Sequence, residues 1–197
     1  MRLEVPSTLL LLLTTVAIGT AHAQKREHDA HEHGHGALNI VIADGEMLVE
    51  MEVPGVHVAG FEHVPKTDAE RAAVDAVVKR MRDGERWFVA STGAGCELEH
   101  AEVAMSYDEH HDDHDKHAKH DDHDHDKHKH DDEEEAHSSL HAEYHFECAN
   151  VAALKEVRVD AFDGLSNLET LSAQIATAAR QTRQTLRPNA RVIRLAP

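Results

Sequence analysis

The chain has 197 residues, with 37 acidic and 20 basic side chains, 20 histidines and a formal charge of −17. That balance excludes nucleic acid and anionic membrane surfaces as partners, since both would be repelled. The length suits one domain with a modest core.

The opening stretch, MRLEVPSTLLLLLTTVAIGTAHAQ, carries Arg2, an apolar run from Leu9 to Ile18, and Ala21-His22-Ala23 as a small-x-small cleavage site. Residues 1–23 therefore read as a secretory signal peptide cut after Ala23. The run falls short of the about 20 apolar residues that span a bilayer. No later segment is a candidate span, so no membrane insertion is expected. The bacterial periplasm is the expected location.

Residues 24–36 form a histidine-rich arm, HDAHEHGH from His28 to His35, expected to be mobile. His28, His31, His33 and His35 are candidate metal ligands there. His31-Glu32-His33-Gly34-His35 matches H-E-x-x-H letter for letter. That motif works only where a rigid helix puts both histidines on one face. Here it contains glycine and has no amphipathic helix around it, so a chelating arm is the better reading than a peptidase.

Residues 37–197 are expected to form a single α+β domain, mostly antiparallel sheet with one clear helix. ALNIVIADGEMLVEMEVP holds Asp44-Gly45 between two alternating apolar runs, which predicts a hairpin with a type I′ turn. Leu38, Ile40 and Ile42 then share a face with Met51, Val49 and Met47, and Asn39 meets Glu50. A loop follows with His57, Glu62 and His63, which could donate to one ordered metal site with His35 nearby. VPKTDAERAAVDAVVKRMRDG predicts the helix. Thr67 and Glu70 fit a capping box, Val74, Val77, Val78 and Met81 form a stripe, and Gly84 is placed to end it.

RWFVAS reads as a short strand and CELEHAEVAMSY as a longer one, with SLHAEYHFECAN as its partner beyond the next segment. Setting Cys96 opposite Cys148 in an unbroken antiparallel ladder puts Leu98 against Phe146 and His100 against Tyr144, a structural place for that histidine. Glu99, His141, Glu143 and His145 then lie on the polar face, with Glu99 opposite His145. His141, Glu143 and His145 alternate, so the face is either chelating or simply wet. Cys96 and Cys148 are the only cysteines. In an oxidising compartment they are most simply a disulfide closing the hairpin, with two separate thiols as the alternative.

Between these strands lies the insertion 108–137. It holds His110, His111, His114, His117, His120, His123, His125, His128, His130 and His137, with 14 acids and four lysines. Too polar to form a core, it is expected to be a disordered loop. Loop-closure entropy rises only as the logarithm of length, so the hairpin tolerates it. A solvated charge run would not need histidine, and histidine alone could serve as a pH sensor. Imidazoles among carboxylates point most directly to metal ions, zinc first, with copper, nickel or cobalt possible.

LKEVRVDAF reads as a strand. The tail is ambiguous: Leu168, Leu171, Ile175 and Leu186 approximate helical spacing, Leu171, Ala173 and Ile175 alternate as in a strand, and VIRL ends as a short strand. Nothing assembles a nucleophile: there is no G-x-S-x-G motif and no phosphate-cradling glycine loop.

HGHGALNIVIADGEMLVEMEVPG, GFEHVPKTDAE, WFVAS, GCELEHAEV and HAEYHFEC together resemble the ZrgA-type periplasmic zinc-uptake proteins, over most of the chain beyond the leader. GFEHVP and the cysteine-flanked hairpin are the most specific parts. The resemblance implies a non-enzymatic protein that binds zinc and assists high-affinity import, upstream of an ABC-type permease or its substrate-binding protein. It also implies a strand-rich tail, and it lends weight to His35, Glu62 and His63. The competing functions are a detoxifying sponge for copper, nickel or cobalt, a zinc hydrolase, and an acidic bait for a cationic protein.

Overall fold

A computed structural model describes residues 34–107 and 137–195. The leader, the arm residues His28, His31 and His33, and the insertion from His110 to His130 lie outside the described residues.

The Asp44-Gly45 turn forms as the dipeptide demands, with both residues at positive φ (52° and 91°). It joins β1 (His35–Ala43) to β2 (Glu46–Pro54), with Leu38 opposite Met51, Ile40 opposite Val49 and Ile42 opposite Met47. The Asn39 amide donates to Glu50 across the pair at 3.2 Å. A short helix, α1 (Val56–Ala59), occupies part of the loop that follows.

The main helix, α2 (Asp68–Met81), starts at Thr67 with the full capping box: Thr67 Oγ1 accepts from the Glu70 N–H, and the Glu70 carboxylate accepts from the Thr67 N–H. Val74, Val77 and Met81 are buried, while Val78 is only half-buried. Gly84 does not end this helix in a left-handed turn. It opens a further short helix, α3 (Gly84–Trp87), and glycine is required there because the chain runs against the Tyr144 ring: a Cβ at Gly84 would sit 2.6 Å from Tyr144 Cδ1. Trp87 therefore belongs to a helix, and the short strand β3 is reduced to Phe88–Ala90.

β4 (Cys96–Tyr107) and β5 (Ser138–Cys148) pair antiparallel with Cys96 and Cys148 opposite and disulfide-bonded. The ladder is not unbroken, however. A bulge between Leu98 and His100 shifts the register by one, so His100 lies opposite His145 and Ala101 opposite Tyr144. The inward structural place expected for His100 is thus overturned, and Glu99 does not face His145. The extra residue of a bulge re-aims every side chain beyond it.

β6 (Glu156–Val159) follows, then β7 (Thr170–Thr177), β8 (Gln181–Leu186) and β9 (Val192–Arg194). The tail is strand, and the alternation of Leu171, Ala173 and Ile175 was the operative period: all three are buried. Six strands form one sheet in the order β4-β5-β2-β1-β7-β8, and three form another in the order β3-β6-β9. Among the described residues every strand pairing is antiparallel except β1 with β7.

One face of the large sheet is the core. Trp87, Phe88, Met81 and Ile193 pack with Tyr144, Phe146, Leu38 and Ile40, all fully buried. The Tyr144 hydroxyl donates to the Met81 carbonyl at 2.7 Å, and burial raises its pKa well above the ordinary 10.0. The opposite face bears Asn39, Val41, Glu50, Glu102, His141 and Glu143, exposed or half-buried. No helix among the described residues is long and apolar enough to cross a membrane.

Candidate metal centre

The start of β1, the end of β2, the end of β4 and the start of β5 meet at one end of the large sheet, as the pairings of Ala37 with Glu52, Pro54 with Ser139 and Tyr107 with Ser138 require. Gly55 donates its N–H to the Ser138 carbonyl there at 2.7 Å. The insertion leaves the fold at Tyr107 and returns at His137, and the N-terminal arm joins at Gly34. Both histidine tracts are therefore attached at this end.

Glu62 and His137 meet at that junction. Glu62 Oε2 lies 3.6 Å from His137 Nδ1, and the Glu62 side chain keeps only 16% of its exposure. Its other oxygen, Oε1, is buried without a hydrogen-bond partner. A buried carboxylate oxygen in that condition costs about 1–3 kcal/mol or more. Two ligands on a tetrahedral zinc, with bonds of about 2.0–2.2 Å, stand about 3.3–3.5 Å apart. The Glu62–His137 separation is within a few tenths of an ångström of that value.

His63 lies close by in the chain. Its Nδ1–H donates to the Val64 carbonyl at 3.0 Å, its ring stacks on Phe61 at 4.7 Å, and Nε2 points toward Glu70 Oε1 at 3.9 Å. Glu70 is drawn below the ordinary carboxyl value chiefly by the backbone N–H groups of Thr67 and Lys66, with the His63 charge adding to them. Glu70 was not singled out from the sequence as part of this neighbourhood, because its capping role accounts for it completely.

His57 is a different case. It is 3% exposed, its Nδ1–H donates to the Ser166 carbonyl at 2.7 Å, and its Nε2 accepts from the Gly34 N–H at 2.9 Å. Both ring nitrogens are occupied, so the ring has no lone pair left for a metal. Its place is to clamp the start of β1 to the 166–169 turn. His35 is close to that clamp in sequence, but its Nδ1 lies 2.7 Å from Thr170 Oγ1 on the open face. The expected convergence of His35, His57, Glu62 and His63 on one ion is not what forms. Among the described residues no three His, Cys, Asp or Glu side chains converge as a complete site.

On the open face, His141 hydrogen-bonds to Ser106 Oγ at 2.9 Å. Glu143 stands between Glu50 and Glu102 in the cross-strand register. With Glu52 and His141 these carboxylates line a shallow concavity of about 300 Å³. Directly opposed like charges destabilise a sheet. Here no lysine or arginine relieves them within β1, β2, β4 or β5. The face is set to attract cations.

A search of the curated proteins gives no match. The family model described as "ZrgA family zinc uptake protein" matches residues 30–195, which takes in both sheets, the helices and the whole insertion. This chain belongs to the ZrgA family of zinc uptake proteins.

Proposed function

We propose that the protein is a periplasmic zinc-binding protein that captures and buffers zinc and hands it to a high-affinity importer, without catalysing a reaction of its own. Membership of a zinc-uptake family supports the cargo. The carrying observation is the attachment of both histidine tracts at the end of the sheet where Glu62 and His137 stand at near-ligand spacing. In this reading the tracts collect ions through many overlapping imidazole and carboxylate sites. Glu62 and His137, with His63 beside them, hold one ion more tightly for release. The leader carries the chain out of the cytoplasm, and the receiving partner is an ABC-type permease or its substrate-binding protein.

Zinc takes neutral imidazole and ionised carboxylate, so loading releases protons and weakens as histidine protonates. Competition against a chromophoric chelator tests the reading. The full chain should bind several zinc ions, one of them distinctly tighter, and Glu62→Gln with His137→Ala should abolish that one alone. A chain that takes up no zinc at neutral pH would refute the proposal.

A further inference from the structure

The bulge in β4 does more than relieve register. Without it His100 would point into the core against Tyr144; with it, His100 stands on the open face directly opposite His145. Directly opposed residues on antiparallel strands have Cβ atoms about 4.5–5.5 Å apart, a span that two imidazoles close onto one ion. On the other side of β5, Glu46 Oε1 lies 3.3 Å from His145 Nε2. That nitrogen is buried and makes no hydrogen bond. The 3.3 Å separation is again that of two ligands on one tetrahedral zinc, about 3.3–3.5 Å.

We infer that His100, His145 and Glu46 form a second zinc-binding site, on the open face of the large sheet, whose fourth position is left to solvent. It rests on the reading of the protein as a zinc carrier but on none of the residues at the first site. His145 lies eight residue steps beyond His137, about 27 Å at strand rise, so the two sites cannot share an ion. The three donors do not yet converge on a point. His100 is exposed, and an exposed side chain changes rotamer readily. The neighbouring Glu97, Glu147 and Glu102 hold the local potential negative, which favours a divalent cation over an empty cluster. An open fourth position suits passage of the ion to a receiving ligand, whereas a closed four-ligand site would hold it as structure.

The test is carbethoxylation of the full chain with diethyl pyrocarbonate, read histidine by histidine by peptide mass spectrometry, with and without zinc. Modification of His100 and His145 should slow about tenfold when free zinc exceeds the dissociation constant about tenfold, by mass action. Glu46→Gln should reduce that protection and leave protection at His63 and His137 as it was. Unchanged reactivity of His100 and His145 in zinc overturns the second site. So does full protection that survives Glu46→Gln. Protection of His100 and His145 with none at His63 and His137 would instead remove the first site and leave this one standing.

Discussion

His57→Ala separates a structural histidine from a ligand. The ring is 3% exposed and joins two backbone groups: the Gly34 N–H and the Ser166 carbonyl. Removing it strands one donor and one acceptor, each worth about 1–3 kcal/mol when buried without a partner. Partial entry of water into the space lowers the sum, and we expect a loss of about 3 kcal/mol. For a chain of 150–250 residues each kcal/mol moves the melting midpoint by about 2–4 °C, so the expected drop is about 6–12 °C. His57→Gln, whose amide offers one donor and one acceptor, should recover part of it. The assay pairs thermal and urea unfolding of the metal-free chain with zinc titration of the folded one. Zinc stoichiometry and affinity should be unchanged. A variant with native stability and one zinc ion fewer would refute the reasoning, because it would make His57 a ligand.

Replacing Cys96 and Cys148 with serine opens a 52-residue loop, and the chain-entropy relation puts the loss at about 4 kcal/mol at most; urea unfolding with and without reductant measures it. Gly84→Ala should destabilise by about 1–3 kcal/mol in the same assay, since the new Cβ meets Tyr144 Cδ1 at 2.6 Å and Leu98 Cδ1 at 3.1 Å. The depressed Glu70 carboxyl stabilises α2 fully above its ordinary value of 4.5, and that contribution is lost as pH falls through the folded-state value. The stability gap between the wild type and Glu70→Gln should therefore narrow on acidification from pH 6 toward pH 3. A gap that widens would contradict the sign.

The elements that sequence alone revealed are those with a local cause. Asp44-Gly45 dictates its turn, and Thr67 with Glu70 dictates its cap, because the partners lie within a few residues of each other. The cysteine pair identified the β4–β5 hairpin across an insertion of about thirty residues, since a covalent bond needs no periodicity. What stayed hidden depends on neighbours brought together by the fold. The bulge at Glu99 has no glycine to mark it, so the straight ladder aimed His100 inward. Glu46 reads as an ordinary turn-flanking carboxylate until β2 is known to pair with β5. His57 looked like any loop histidine because its two partners, Gly34 and Ser166, are distant in sequence in opposite directions. The tail offered two periods at once, and burial of Leu171, Ala173 and Ile175 against β1 decided for the strand.

The parallel union of β1 with β7 sets the order in which the molecule can be assembled. β1 with β2 and β4 with β5 zip as hairpins and β2 joins β5 across the intervening chain, but the free edge of β1 finds its neighbour only when Thr170, 135 residues beyond His35, becomes available. Contacts of such separation slow folding, and an exposed strand edge invites pairing with other chains meanwhile. A newly made copy would thus linger half-zipped, and truncation anywhere before β7 would leave the edge of β1 bare instead of merely shortening the tail.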